Sequence, residues 1–273
     1  LANVVSGLTV TSTQSEAQTV ARIRGVGTVG DNAGLESSVG IVIDGVFRPR
    51  NGVGFTDLGE LERIEVLKGP QGTLFGKNTS AGVINVITKR PTYSQRAEAE
   101  VTVGSYGMFG VSGSYSDSFN DMAAFRLYAA KRKRDGYIDV ATGAGPRTET
   151  EDQNQDFHTF RGQLLLEPND TLDILLTGDF SNRTESCCAT VTTIRGPSAA
   201  ILDALSSDSG VIPVADPFGR RAFANRSSAQ FIKDQGVSAQ LDWQTPWLGE
   251  ATLTSITSQR KWQSTNGIDF DYS

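Results

Sequence analysis

The chain has 273 residues, with 25 Lys and Arg against 31 Asp and Glu, for a formal charge of −6; this acidic balance argues against nucleic acid as a partner. It is 38% hydrophobic, but the apolar residues come in short runs, and no window of ~20 of them could form a transmembrane helix. A transmembrane β-barrel is not excluded, because its strands hide their apolar face in alternation.

The charge is unevenly placed. Residues 1–92 carry 9 basic and 8 acidic side chains, while residues 93–273 carry 16 and 23. The basic run Lys131–Arg134 is too short to reverse the balance of the second part.

In chain order, residues 1–20 read as a short helix-like start followed by a strand from Leu8 to Thr13. Leu1–Val5 lacks the basic segment and cleavage site of a signal peptide. Val20–Gly27 reads as a strand running into an Ile-Arg-Gly turn, and Gly25, Gly27 and Gly30 mark a loop to about Ser38. Val39–Asp44 is a strand, followed by Asp44-Gly45-Val46. A second loop runs from Phe47 to Thr56, and Leu58–Leu61 is expected to form a short helical turn.

The stretch Leu61–Pro91 (LERIEVLKGPQGTLFGKNTSAGVINVITKRP) reads as two strands joined by a Gly-rich connection. Ile64, Val66 and the alkyl part of Lys68 alternate with Glu65 and Leu67. Lys68-Gly69-Pro70 is a turn in which Gly takes φ > 0 without steric cost and Pro presets φ. Gly82–Thr88 is β-branched, and Lys89-Arg90-Pro91 stops it. Gly72-Thr73-Leu74-Phe75-Gly76-Lys77-Asn78 imitates a phosphate-binding loop. That motif needs four residues between its glycines and Ser or Thr after the Lys; here three intervene and Asn78 follows.

After a polar linker at 92–96, long alternating segments begin. Ala97–Gly104 and 109–118 flank the tight turn Ser105-Tyr106-Gly107. Between 122 and 134, Ala123, Phe125, Leu127 and Ala129 share one face, and Ala124, Arg126, Tyr128 and Ala130 share the other. In 171–182, Leu172, Ile174, Leu176, Gly178 and Phe180 oppose Thr171, Asp173, Thr177 and Asp179. Further strands read at 234–243 and 250–262, and Trp243 and Trp247 flank a turn as in an interfacial aromatic girdle. This is the apolar-out, polar-in pattern of a water-filled barrel. An aqueous sandwich would show the same periodicity. Connection lengths favour the barrel. Turns at 119–121, 167–170 and 245–249 are short, those at 135–155 and 183–233 long, and short and long alternate as in outer-membrane barrels.

The ordered motifs Glu62–Pro70, Leu74-Phe75-Gly76 and Ala81–Lys89 resemble the plug domain of TonB-dependent outer-membrane receptors. Ala81 stands where that family often has Gly. Val20–Gly27, Asp44-Gly45-Val46 and Leu1–Val10 resemble further plug segments, with Ser6 where Pro is usual. The resemblance implies a mixed α+β plug domain followed by antiparallel transmembrane β-barrel strands, an incomplete part of a barrel of about 22 strands. It puts the plug at 1–92 and about seven barrel strands at 93–273, with the signal peptide, the TonB box and upstream plug outside the chain. Seven strands do not close such a barrel and leave edges that need partners.

The same resemblance implies transport without catalysis. A scarce nutrient, a ferric siderophore before cobalamin or carbohydrate, binds at the outer face, and TonB supplies energy by pairing with the N-terminal box. Iron enters only as part of the ligand, not as a cofactor. Outer-membrane lipid and TonB are the implied partners, and the outer membrane of a Gram-negative bacterium the implied location. A soluble β-rich binding or adhesion domain is the alternative. Loops of the plug apex make Arg24, Arg48, Arg50, Asn51 and Phe55 the candidate ligand contacts; solvated loop charges, or for Arg24 an ion pair to the barrel wall, are the competing roles. Arg63, Lys68, Gly69, Pro70, Gly76, Gly82 and Asn85 are expected to shape the plug. Cys187 and Cys188, adjacent in the long loop, form either a vicinal disulfide or two free thiols. They are too few for a metal site, and the single His158 lies in another segment. No nucleophile, base and orienter set is legible in the sequence.

Overall fold

The computed structural model describes residues 5–12, 19–28, 35–50, 52, 57–206, 214–216, 218–245, 249 and 251–269. Two small sheets come first. Strand β1 (Leu8–Ser12) pairs antiparallel with β2 (Thr19–Ile23). Strand β3 (Val39–Ile43) turns back into β4 (Val46–Arg48) through Asp44 and Gly45. Both turn residues have positive φ, 47° and 75°, the geometry that an Asp-Gly pair favours in a two-residue hairpin.

Strand β5 (Leu61–Lys68), the one-turn helix α1 (Gly72–Phe75) and β6 (Gly82–Thr88) complete a sheet of order β4-β3-β6-β5. Strand β3 runs parallel to β6, and β5 antiparallel to it. All five residues of β3 are buried, as its unbroken apolar run VGIVI requires. Leu8, Ala21, Ile23, Val39, Ile41, Ile43, Ala81, Ile84 and Val86 form one core, in which each large aliphatic side chain contributes about 1.5–3 kcal/mol.

The turns of Leu61–Pro91 follow from glycine geometry at two points. Gly69, at φ 95°, donates its N–H to the Ala81 carbonyl at 3.1 Å. Gly82, at φ 148°, lies so close to β5 that a Cβ there would sit 2.3 Å from the Leu67 carbonyl oxygen and 2.6 Å from Ile23 Cδ1. The expected helical turn at Leu58–Leu61 is not formed: residues 57–59 are irregular and β5 starts at Leu61. Gly59 has φ 80°, outside the helical region, and the side chains of Asp57 and Glu60 are both drawn to strands of the second part of the chain.

A seven-stranded antiparallel meander follows: β7 (Arg96–Gly104), β8 (Met108–Asn120), β9 (Ala123–Arg134), β12 (Gln155–Asn169), β13 (Leu172–Ser186), β15 (Ala229–Thr245) and β16 (Ala251–Asn266). Between these, β10 (Ile138–Ala141), β11 (Glu151–Asp152), helix α2 (Ala199–Ser206) and β14 (Arg221–Phe223) belong to the two long connections. Three strands outrun the segments read from the sequence: β13, β15 and β16 have 15, 17 and 16 residues. Each is longer than the ~9–11 residues that a tilted strand needs to cross a hydrocarbon region, up to the end where the long connections begin.

The connections at that end are built, not slack. Strands β11, β10 and β14 form a sheet, and Val140, Ala189, Ala222 and Ala224 make a second small core. Arg147 pins it. Its guanidinium pairs with Asp152 at 3.0 Å, donates to the Ser228 hydroxyl at 2.6 Å and reaches the Glu149, Glu151 and Arg226 carbonyls, with both charged side chains fully buried. Cys187 and Cys188 are disulfide-bonded and buried beside this cap, and the Cys187 N–H donates to the Ser228 carbonyl at 3.0 Å.

Candidate functional site at the contact between the small sheets and the barrel wall

The side chains of β9 and β13 alternate as the sequence pattern predicts. Ala124, Arg126, Tyr128 and Ala130 are buried, whereas Leu127 is exposed; Leu175 and Thr177 are buried, whereas Leu176 is exposed. The inward face is turned to the small sheets, which corrects the picture of a water-filled lumen. Because the lumen holds protein, it also accepts apolar side chains: Leu165 and Leu175 are buried on that face, and the β3–β4 turn abuts Ile256, whose Cδ1 a Cβ on Gly45 would meet at 2.4 Å.

Four polar links join the two parts. Glu60 accepts from Arg126 and from the Ser114 hydroxyl at 3.1 Å, and pairs with Lys89 at 3.0 Å. Burial alone pushes its carboxyl up. Contacts with Glu98, Lys89, Arg126 and Ser114 win, and hold it down at about 2. Asp57 accepts from the Tyr128 hydroxyl and from Arg132 at 2.9 Å.

Asp44 accepts from Arg161 and also closes its own domain, taking the Thr88 N–H at 2.8 Å and the Thr88 hydroxyl at 2.9 Å. Arg48 reverses the polarity: it lies 3.6 Å from Asp179 and 3.5 Å from Asp234, both of which also pair with Arg260, at 2.6 and 2.7 Å. Three carboxylates of the first part of the chain thus meet three arginines of the wall, and one arginine meets two wall carboxylates. A cavity of 20 Å³ opens between Arg48, Tyr128, Arg161 and Asp179, room for one water molecule. Buried Arg48 Nε and Arg161 Nε, without hydrogen-bond partners in the structure, lie on residues that line it.

The candidate ligand contacts scatter around this interface. Arg48 is 3% exposed and committed to the two aspartates, so it is not a solvated loop charge. Arg50 donates to the Leu35 carbonyl at 2.9 Å and lies over the Trp262 ring at 5.4 Å. Arg24 is exposed, at φ 53°. Asn51, Phe55 and Trp247 lie outside the described residues.

The residues expected to shape the domain sit on β5, β6 and their connection. Arg63 is exposed and pairs with Glu62 at 2.6 Å and Glu65 at 2.7 Å. Asn85 donates to Glu65 at 2.9 Å, and Arg63 and then Asn85 hold the Glu65 carboxyl below its usual range. Lys68 ends β5 opposite Gly82. Pro70 is exposed, and Gly76 has φ 78°. Lys77, the lysine of the imitation phosphate loop, pairs with Glu36 at 3.3 Å. Among the described residues no group of three or more His, Cys, Asp or Glu could hold a metal ion.

Sequence reasoning missed Asp44, Asp57, Glu60, Arg132, Arg161, Asp234 and Arg260. The available signal is parity: a charge on the inward face of an otherwise alternating strand needs a partner. This rule places Asp179 and Arg126 on that face, but their partners lie on a segment whose position no local pattern reports.

A β-barrel wall whose inward face is filled by an earlier segment of its own chain defines a plugged barrel. Residues 1–83 match the TonB-dependent Receptor Plug Domain, so the first part of the chain is similar to the plug of that family. The chain is 28% identical over 116 residues to the ferrioxamine receptor of Yersinia enterocolitica, covering 42% of this chain and 15% of that protein. It is 36% identical over 74 residues to the ferrichrome outer membrane transporter/phage receptor of Escherichia coli K12, covering 26% of this chain and 10% of that one.

Among solved structures, the ferric yersiniabactin uptake receptor of Yersinia pestis superposes with TM-score 0.77 at 17% identity, over 96% of this chain and 38% of that one. The pyoverdine outer membrane receptor of Pseudomonas aeruginosa superposes with TM-score 0.70 at 18% identity, over 95% and 34%. At these identities the superpositions speak to fold. The chain thus spans well under half of each of these relatives.

Proposed function

We propose that the chain supplies the plug, residues 1–92, and wall strands, residues 93–273, of an outer-membrane receptor that imports a ferric siderophore in a Gram-negative bacterium, with energy from TonB. The observation that carries this reading is the way the plug is seated. Its own sheet is closed by aliphatic packing, while its named links to the wall are ion pairs and hydrogen bonds. Polar links can be exchanged singly for water or for one another. An apolar seam of similar area would have to be exposed at once, at ~25 cal/mol per Å². A plug so held can shift in the barrel without unfolding, which suits transport by differential affinity between plug states.

The matched relatives named for ferrioxamine and ferrichrome support a siderophore over cobalamin or carbohydrate. On this reading iron arrives inside its chelate and no protein-bound cofactor takes part. The test is uptake of radioiron-loaded siderophores by a strain lacking the gene, with and without TonB. Loss of uptake of one siderophore, restored by the gene only when TonB is present, is expected. Unchanged uptake of every ferric siderophore, with loss of cobalamin or oligosaccharide uptake instead, would transfer the assignment to that nutrient.

A further inference from the structure

The charges at the seat of the plug balance in two ways. Asp44 pairs with Arg161, and Arg48 and Arg260 face Asp179 and Asp234. Asp44 and Arg48 belong to the first part of the chain; Arg161, Asp179, Asp234 and Arg260 belong to the wall. Each share is neutral by itself. The observed pairing is therefore not the sole one that avoids a buried charge without a counter-charge, the costly outcome at such a site.

The second pairing is already laid out on the wall. Arg161, Asp179, Gly236 and Arg260 stand directly opposite one another across β12, β13, β15 and β16. Opposed side chains on neighbouring strands have Cβ atoms ~4.5–5.5 Å apart, so Arg161 stands beside Asp179 while it is bonded to Asp44. Arg260 reaches Asp179 from two strands away, at 2.6 and 2.9 Å. Gly236 clears that path: a Cβ there would meet Arg260 Cγ at 2.7 Å and Nη1 at 2.8 Å.

The plug's arginine is held more loosely than the wall's. Arg260 bonds Asp179 and Asp234 at 2.6 and 2.7 Å, whereas Arg48 stands off at 3.6 and 3.5 Å. Arg48 Nη1 and Arg161 Nε have no hydrogen-bond partner, and the 20 Å³ cavity that both residues line leaves the Arg161 guanidinium room to turn. Asp44 and Arg48 stand on one hairpin.

We propose that Arg161 is a swinging arginine: as the plug shifts, it passes from Asp44 to Asp179, and Asp44 and Arg48 pair within their own hairpin. This rests on the reading of the chain as a receptor whose plug moves against its wall. The wall then closes its own charges, with Arg161 and Arg260 on Asp179 and Asp234, and no proton is taken up. Without Arg161 the two wall aspartates would share one guanidinium, and two carboxylates in one such site take up a proton. The other charged and titratable groups around them are engaged: Asp57 with Tyr128 and Arg132, and Arg183 with Glu185. His158, the single histidine, lies on the outward face by register.

The experiment is hydrogen exchange on the full-length protein at about pH 5.5 and about pH 7.5, with the β3–β4 turn amides, corrected for intrinsic exchange rates, as the measure of seating. Glu60, held at about 2 against 4.5, titrates below this window. In the unaltered protein seating should be equal at the two pH values. The Asp44→Asn/Arg161→Gln variant stays balanced while seated, but leaves Asp179 and Asp234 on Arg260 alone when the plug shifts. Its seating should weaken by up to about tenfold for each unit that pH falls within the window. Adding Asp179→Asn leaves one carboxylate on one guanidinium and should restore the flat profile.

A pH slope in the unaltered protein overturns the proposal, and so does a double variant with a flat profile or a slope that survives Asp179→Asn. Loss of protection in β3 and β6 together with the turn, in the unaltered protein, would instead overturn the reading of a moving plug on which the exchange rests.

Discussion

The plug's interior and its seat in the wall are built from opposite materials. Inside, Ile23, Ile41, Ile43, Ile84, Val39, Val83 and Val86 are all under 2% exposed or close to it, and they close the small sheets by packing. At the seat, Asp44, Asp57, Glu60 and Arg48 reach across to Arg161, Arg132, Arg126 and the Asp179–Asp234 pair. Packing is cooperative and hard to undo in part, whereas ion pairs are separable. The contrast predicts a domain that keeps its shape when its position changes, and substitutions in the two regions should differ accordingly.

The largest effect is expected inside the plug. Gly82→Val would force a side chain into the Leu67 carbonyl at a left-handed backbone, costing about 3 kcal/mol or more; Ile84→Ala would cost about 2–5 kcal/mol through its cavity. Both should appear as a lower melting temperature and as faster hydrogen exchange throughout β3, β5 and β6. An effect confined to the wall strands would contradict this.

Next comes Arg48→Ala, which leaves Asp179 and Asp234 sharing Arg260 alone. Removing one member of a buried cluster costs about 3–5 kcal/mol, and here that loss should fall on seating. The Asp179→Asn/Asp234→Asn partner variant should recover part of it in a double-mutant cycle. Additive losses would show that the three groups do not act together.

Glu60 gives a smaller, pH-dependent term. Its carboxyl is held at about 2 against an ordinary value of 4.5. A depressed value means that its contribution is present above pH 4.5 and is lost as pH falls towards 2. Glu60→Gln should abolish this dependence in seating measured between pH 5 and 2, and an unchanged profile would assign the acid sensitivity to another group. The smallest effect is expected at Arg63, whose ion pairs with Glu62 and Glu65 are solvent-exposed; Arg63→Ala should leave the melting temperature nearly unchanged.

Much of the plug is legible in the sequence because its signals are local. Gly69 sets a turn, and VGIVI and GVINVIT set strands through their own backbone and side-chain preferences; β4, by contrast, forms where the sequence reads as a loop from Phe47. Most of the wall strands are legible from their period of two, while β12 is marked only by the connections on either side of it. The seat is not, because Arg48 and Asp179 are 131 positions apart and nothing near either one announces the other. Arg48 therefore reads as a loop charge available to a ligand. The outer cap escapes for a related reason: β10 and β14 are short, and they pair only because the barrel brings two long connections together. The helical turn expected at Leu58–Leu61 fails where tertiary links from Asp57 and Glu60 override local propensity.

The separation of interior from seat is tested most directly by hydrogen exchange on the full-length protein carrying Arg48→Met and Asp44→Asn. Separable seating predicts faster exchange in the β3–β4 turn and around residues 57–60, with β3 and β6 amides keeping nearly the protection of the unaltered protein. Equal loss of protection in β3, β6 and the seat would show that plug folding and plug seating are one cooperative event, and would contradict it.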